Sequence, residues 1–365
     1  MSKIRILVVD DSVVIRRLVS DVLSGDSDLQ VVGTAPNGRI ALDKITQVNP
    51  DIITLDVEMP EMDGLQALAV MRKSHPRLPV IMFSTLTERG ASVTLDALSL
   101  GASDYVTKPS NVGSTTAGMA RVREDLIPKI KALCWRNGVR EAKPPAPMRT
   151  APRTTPILTP ALRANRRVDI VAVGVSTGGP NALAELMPAL PADFPVPLLI
   201  VQHMPPIFTR LLAERLSANS SIEVKEAVAG GEVKPGRAWV APGNYHMVLE
   251  KSAETLRIKL NQEPPENSCR PAVDVLFRSV VESHGAGTLA VVLTGMGQDG
   301  FRGCERIYEA GGQILVQDEA SSVVWGMPGY VAKAGFADQV LPLNQLAGEI
   351  VRRVWERRPK GSRAT

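Results

Sequence analysis

The chain has 365 residues, 44% of them hydrophobic, and a formal net charge of +4. At about 100 to 200 residues per domain that is enough for two cores, and no apolar run approaches the roughly 18 to 20 residues needed to cross a bilayer. The small positive excess sits in residues 136–167, with eight Lys/Arg against Glu141 alone, and in the last dozen residues; basic segments of this kind are ordinarily just solvated, which argues against a nucleic-acid partner.

The first apolar run, Ile4 to Val9, ends in Asp10-Asp11 instead of a small-residue cleavage site, so it reads as a strand and not a secretion signal. Cys134, Cys269 and Cys304 are odd in number and widely spaced, matching neither a disulfide framework nor a metal motif. A reducing, cytoplasmic setting is expected. Ser12 is placed to cap a helix running to about Leu23. Strands follow at 29–35, at 51–55 ending in Asp56, at 79–83 ending in Ser84-Thr85, and at 103–106 ending in Thr107-Lys108-Pro109, with helical periodicity between them. A βα repeat of this kind predicts a parallel sheet with helices on both faces.

Open α/β sheets bind ligands at the carboxyl ends of their strands. This half puts Asp10, Asp11, Asp56, Ser84 and Lys108 there. Three neighbouring carboxylates repel unless a cation joins them, and an oxygen-preferring Mg²⁺ suits such a set. With the charge neutralised, Asp56 becomes a carboxylate nucleophile towards a phosphoryl donor. Acidic residues also end strands and cap helices for purely structural reasons, but the whole set together favours the functional reading.

VVDDS at 8–12, LDVEMPEMDG at 55–64, Ser84-Thr85 and YVTKP at 105–109 resemble the receiver domain of two-component response regulators. The resemblance implies a flavodoxin-like domain over residues 1–134 with a five-stranded parallel sheet. It implies Asp56 as phospho-acceptor and Mg²⁺ held by Asp10, Asp11 and Asp56. Lys108 would contact the phosphoryl group, with Ser84 and Tyr105 as the switch pair.

Residues 135–167 carry Pro144, Pro145, Pro147, Pro152, Pro156 and Pro160 among Arg, Thr and Ala, a composition that reads as a stiff linker. The βα pattern resumes at Val168. Strand 169–174 opens into a Gly/Ser/Thr-rich turn, and Gly174-Val175-Ser176-Thr177-Gly178 fits G-x-S-x-G, the pattern of a nucleophile held on a sharp strand-to-helix turn. Such a turn also suits a plain strand end or a phosphate cradle. A second buried run ends at His203. Residues 230–241, 245–250 and 255–260 alternate in the β style and predict a short antiparallel section. After a helix at 273–283, a third buried strand, 288–293, opens into Thr294-Gly295-Met296-Gly297-Gln298-Asp299-Gly300. A strand at 313–317 and a helix at 343–356 close the domain.

There are four histidines. His75 lies in a polar loop, His284 at a helix end, and His246 in the β-rich section within possible reach of a site. His203 alone ends a parallel-type strand as Ser176 does. A serine hydroxyl needs an imidazole to take its proton and a carboxylate to orient that imidazole, so Ser176, His203 and Asp299 are the candidate triad. Thr177 is placed to line the pocket, and the Met296 amide, between two glycines, to donate to an oxyanion.

GVSTGGP, VQHMP at 201–205, APGNYH at 241–246, RPAVDVLF at 270–277, LTGMGQDG at 293–300 and WGMP at 325–328 resemble the catalytic domain of the CheB chemotaxis methylesterase family. That implies a doubly wound α/β domain over 168–357, with a mostly parallel sheet and a short antiparallel section, followed by a basic tail at 358–365. It implies a phosphorylation-activated serine hydrolase that demethylates chemoreceptor glutamate esters and deamidates receptor glutamines. The esterase reaction would need no cofactor. Partners would be methyl-accepting chemoreceptors and the pathway's histidine kinase, met at the cytoplasmic side without membrane insertion. The unphosphorylated receiver is expected to cover the Ser176 turn. The rival reading is a phosphorylation-gated, receptor-binding adaptor without turnover.

Overall fold

The computed structural model describes residues 3–108, 115–134, 166–252, 255–356 and 358. The proline-rich stretch 135–165, Pro109 and nearly all of the basic tail lie outside the described residues. The chain divides into two compact units, one within residues 1–143 and one within 144–365. No described helix is long and apolar enough to cross a membrane.

In the first unit, strands β1 (Ile4–Val9), β2 (Leu29–Ala35), β3 (Ile52–Asp56), β4 (Val80–Ser84) and β5 (Asp104–Thr107) alternate with helices α1 (Val13–Ser24), α2 (Gly38–Val48), α3 (Gly64–Ser74), α4 (Glu88–Ser99) and α5 (Thr115–Cys134). The sheet is parallel, in the order β2-β1-β3-β4-β5. Every residue of β3 and β4 is buried, as expected of strands covered on both faces. Short polar side chains start the helices: Ser12, Asn37, Asp63 and Thr87 each accept a backbone N–H in the first turn, and Asp63 forms a capping box with Gln66. Strand order reverses between β1 and β3, which opens a crevice at their carboxyl ends.

The second unit contains β6 (Ile170–Val175), α6 (Gly179–Leu186), β7 (Leu198–Gln202), α7 (Phe208–Ala218), β8 (Glu223–Glu226), β9 (Arg237–Val240), β10 (His246–Ser252) and β11 (Thr255–Asn261). These are followed by α8 (Val273–His284), β12 (Thr288–Val292), α9 (Phe301–Glu309), β13 (Gln313–Gln317), α10 (Met327–Lys333), β14 (Gln339–Leu341) and α11 (Leu343–Trp355). Seven strands form one sheet in the order β14-β13-β12-β6-β7-β9-β8. The antiparallel section is narrower than the alternation predicts. Among the described strands only β10 and β11 pair antiparallel; the start of the stretch 230–241 adds a single antiparallel bridge, Glu232 to Arg257, whereas β9, at its end, joins β7 and β8 in parallel. Side-chain alternation reports a half-buried strand and carries no information about the direction of its neighbour.

Register decides where the chemistry lies. Gly174 pairs with Val292 on one side and Val201 on the other, so β12, β6 and β7 end level with one another. Helix α8 packs tightly beneath them. A Cβ on Gly174 would collide with Val273 at the start of that helix, so only glycine admits this approach.

Candidate active site

Ser176 is the first residue past β6, and its turn is pinned on three sides. Its N–H donates to the Thr294 carbonyl at 3.0 Å, and its own carbonyl accepts from Gly179 N at 2.8 Å and from Gln202 Nε2 at 3.0 Å. Gly178 takes the left-handed conformation, φ 78°, that lets the chain turn into α6. Thr177 is buried and its carbonyl accepts from Thr294 Oγ1 at 2.9 Å. Gly295 leaves room for the serine, since a Cβ there would stand 2.9 Å from Ser176 Cβ. The Met296 amide, next in the chain, makes no hydrogen bond among the described residues.

His203 follows β7, and its Nε2 lies 2.8 Å from Asp299 Oδ2. Asp299 is 2% exposed and saturated with donors. Oδ2 also accepts from Val273 N at 2.7 Å, while Oδ1 accepts from Asn267 Nδ2 at 2.8 Å and from Asp274 N and Gly300 N at 3.0 Å each. Burial alone would raise this carboxyl; His203 and the amides of Asp274 and Val273 outweigh it and hold it below the usual carboxylate range. An ionised carboxylate only accepts, so the proton between the two sits on Nε2 and the lone pair is on Nδ1. For His203 itself, burial works against the charged form, and the neighbouring Cys269 and Asp299 overcome it, raising the imidazole. The Cys269 contribution exists only while its sulfur is a thiolate.

The structure therefore brings His203 and Asp299 into contact and sets Ser176 at the adjoining strand end. Among the described residues no hydrogen bond links Ser176 Oγ to the imidazole, because Nδ1 faces Cys269 Sγ at 3.6 Å. His246 is not a rival base. It is 1% exposed, with Nδ1 accepting from Ala272 N and Nε2 against the Pro264 carbonyl, so both nitrogens serve the fold. Three residues around the pair are not assigned to the site by the sequence: Asn267, Cys269 and Asp274. Asn267 donates to Asp299 and also to Asp274 Oδ2 at 2.9 Å. Burial and the adjacent Asp299 charge push Asp274 up to about 6.

In the first unit, Asp10, Asp11 and Asp56 place carboxylate oxygens within 4.8 Å of one another. Lys108 Nζ lies 2.8 Å from Asp10 Oδ2 and 2.7 Å from Asp56 Oδ2. Burial, then the Asp10 charge, raises the Asp56 carboxyl to about 6 in spite of Lys108. The buried Oδ2 atoms of Asp10 and Asp56 have the Lys108 ammonium as their one close polar partner, and a single ammonium leaves the three carboxylates under-neutralised. This donor set fits an oxygen-seeking divalent cation. A cleft of about 180 Å³ opens beside it, lined by Asp11, Asp56, Thr85 and Lys108 among others. Ser84 is buried and donates to the Gly90 carbonyl at 3.0 Å, away from Asp56. Tyr105 is also buried, with the Lys129 ammonium 5.2 Å from its ring centre.

Comparison with known proteins finds a family for each unit. Residues 171–350 match the family model of the CheB methylesterase, and residues 6–117 match that of the response regulator receiver domain. The protein-glutamate methylesterase/protein-glutamine glutaminase of Trichodesmium erythraeum is 56% identical over 357 residues, covering 97% of this chain and all of that one. The chain belongs to the CheB methylesterase family. The protein of the same name from Nocardioides sp. is 54% identical over 363 residues, 98% of each chain. The crystal structure of the Thermotoga maritima CheB methylesterase catalytic domain superposes with a TM-score of 0.50 at 41% identity, over 51% of this chain and 99% of that one. As in that family, the chain joins a receiver with five parallel strands to an α/β esterase domain.

Proposed function

We propose that this CheB-family chain is a phosphorylation-controlled protein-glutamate methylesterase and protein-glutamine deamidase acting in chemotaxis adaptation. Its substrates are methyl-accepting chemoreceptors, reached from the cytoplasmic side. The observation that carries the reading is the imidazole of His203. One nitrogen is fixed by a saturated, buried Asp299, which leaves the other with its lone pair at the strand edge that also presents Ser176.

In the forward step Ser176 Oγ attacks the ester carbonyl and its proton passes to His203 Nδ1. The imidazolium is stabilised by Asp299 through Nε2, and the Met296 amide donates to the oxyanion. The C–O bond to the methoxy group breaks and Nδ1 returns the proton, releasing methanol. Water then attacks the acyl-serine by the same route and frees the receptor glutamate. With a glutamine side chain the leaving group is ammonia. Thr177 packs behind the serine as a wall of the pocket.

In the receiver, Asp56 takes the phosphoryl group from the phosphohistidine of a kinase. Asp10, Asp11 and Asp56 would hold a Mg²⁺ ion, which would supply the positive charge that this transfer needs. Lys108 pairs with the new phosphoryl oxygens, and Ser84 leaves Gly90 for them while Tyr105 holds the inward position. The modification adds about −1.5 to −2 charge to a site where one ammonium already faces three carboxylates, and the esterase is released from restraint by the receiver.

Methanol release from methylated chemoreceptor membranes tests the esterase. The wild type releases methanol, and Ser176→Ala reduces the rate to background while the variant keeps its fold by circular dichroism. Equal rates for the two proteins would refute the serine mechanism.

A further inference from the structure

Cys269 faces His203 from the side opposite Asp299, and no step of the proposed esterase uses it. Its Sγ lies 3.6 Å from Nδ1. Because Nε2 is tied to Asp299 at 2.8 Å, the nitrogen that faces the thiol is the one with a lone pair. Such an imidazole, backed by a carboxylate, is placed to take the thiol proton as the sulfur reacts, so that a thiolate forms beside an imidazolium during attack. The chain's other two cysteines have no such setting. Cys134 and Cys304 are buried, and burial pushes the Cys134 thiol up to about 12 and the Cys304 thiol well above its ordinary value. Cys269 is only partly buried.

We propose that Cys269 is a redox-modification site, oxidised by peroxide and then capped by a small thiol, and that the capped form is catalytically silent. The thiolate attacks a peroxide oxygen; the O–O bond breaks, sulfur gives up two electrons, and the departing hydroxide takes a proton from the His203 imidazolium to become water. The sulfenic acid then condenses with a small thiol, forming an S–S bond and releasing water. A further thiol reduces the mixed disulfide and restores Cys269. The adduct stands against Nδ1, the atom to which the Ser176 proton must pass, so the esterase stops while the receiver is untouched. The silencing rests on the serine-esterase reading; the thiol reactivity does not.

The test uses the full chain. Iodoacetamide labelling at pH 7 with peptide mapping gives the site and rate. A chelator of thiophilic metals is present, because ligand atoms of His203, Cys269 and Asp299 lie within 4.8 Å of one another. Label on Cys269 before either other cysteine, at a rate about tenfold lower in His203→Ala, is expected. Peroxide with glutathione should cut methanol release by the wild type about tenfold, dithiothreitol should restore it, and whatever activity Cys269→Ser retains should be the same before and after treatment. Label appearing first on Cys134 or Cys304, equal labelling rates with and without His203, or inactivation that persists in Cys269→Ser would overturn the proposal. His203-dependent labelling of Cys269 in a protein that releases no methanol even untreated would uphold the reactive thiol and sink the esterase reading instead.

Discussion

Asp56 and Asp299 are both carboxylates at the carboxyl edge of a parallel sheet, and both are 2% exposed, yet their electrostatic states are opposite. Asp56 shares one ammonium with Asp10 and is raised to about 6; Asp299 holds five donors and is lowered. On the proposed function, the contrast separates a switch from a scaffold. A site left short of positive charge responds strongly to a cation or a modification, whereas a saturated one keeps a single geometry through many turnovers. Each half of the comparison can be broken by substitution.

The largest effect is expected at Asp299. An asparagine there offers an amide N–H to Nε2 and favours the wrong tautomer, so Asp299→Asn should lower kcat for methanol release by about 10⁴-fold with little change in KM. Asn267 acts through Asp299, bridging it to Asp274. Hydrogen bonds to charged groups contribute about 1.5 to 3 kcal/mol, so Asn267→Ala should lower kcat by about ten- to a hundredfold and distort the pH profile of kcat, which a purely structural loss would leave in shape.

The receiver should respond in stability. A carboxyl raised from 3.8 to about 6 on folding contributes stability that is complete below pH 3.8 and is lost as pH rises through about 6. Ionised Asp56 is therefore a burden at pH 7.5, and Asp56→Asn should stabilise the first unit by about 1 to 3 kcal/mol there and by little at pH 4. Calorimetry at the two pH values checks the sign. Added Mg²⁺ should raise the wild-type midpoint more than that of the variant. The smallest effect concerns Asp274, also raised to about 6. By the same sign rule, the stability that the second unit loses between pH 4 and 7 should shrink by about 1 to 2 kcal/mol in Asp274→Asn, whatever constant offset the substitution adds.

Much of this was legible because parallel α/β units put functional side chains at strand ends, where an apolar run stops at a polar residue. Asp10 and Lys108 follow β1 and β5 in that way and Asp56 ends β3; Ser176 and His203 follow β6 and β7. Asp299 lies a few residues past β12. Asn267 and Cys269 were not legible. They lie between β11 and α8, in a segment with no periodicity, where Asn267 and Ser268 take positive φ of 52° and 62° and turn the chain back onto the site. A polar cluster, Glu266-Asn267-Ser268-Cys269, just before an apolar helix was the one available signal. Strand β8, Glu223 to Glu226, was missed because a short charged edge strand with only Val224 buried carries little hydrophobic pattern.

The most direct test of the whole account joins the two sites. Methanol release from methylated chemoreceptors is measured for the full wild-type chain and for Asp56→Ala, each with and without a small-molecule phosphodonor and Mg²⁺. The account predicts that the phosphodonor raises the wild-type rate at least about tenfold, a shift of roughly 1.4 kcal/mol, and leaves Asp56→Ala unchanged. Equal stimulation of the two proteins, or none in a wild type whose Asp56 is demonstrably phosphorylated, would contradict it.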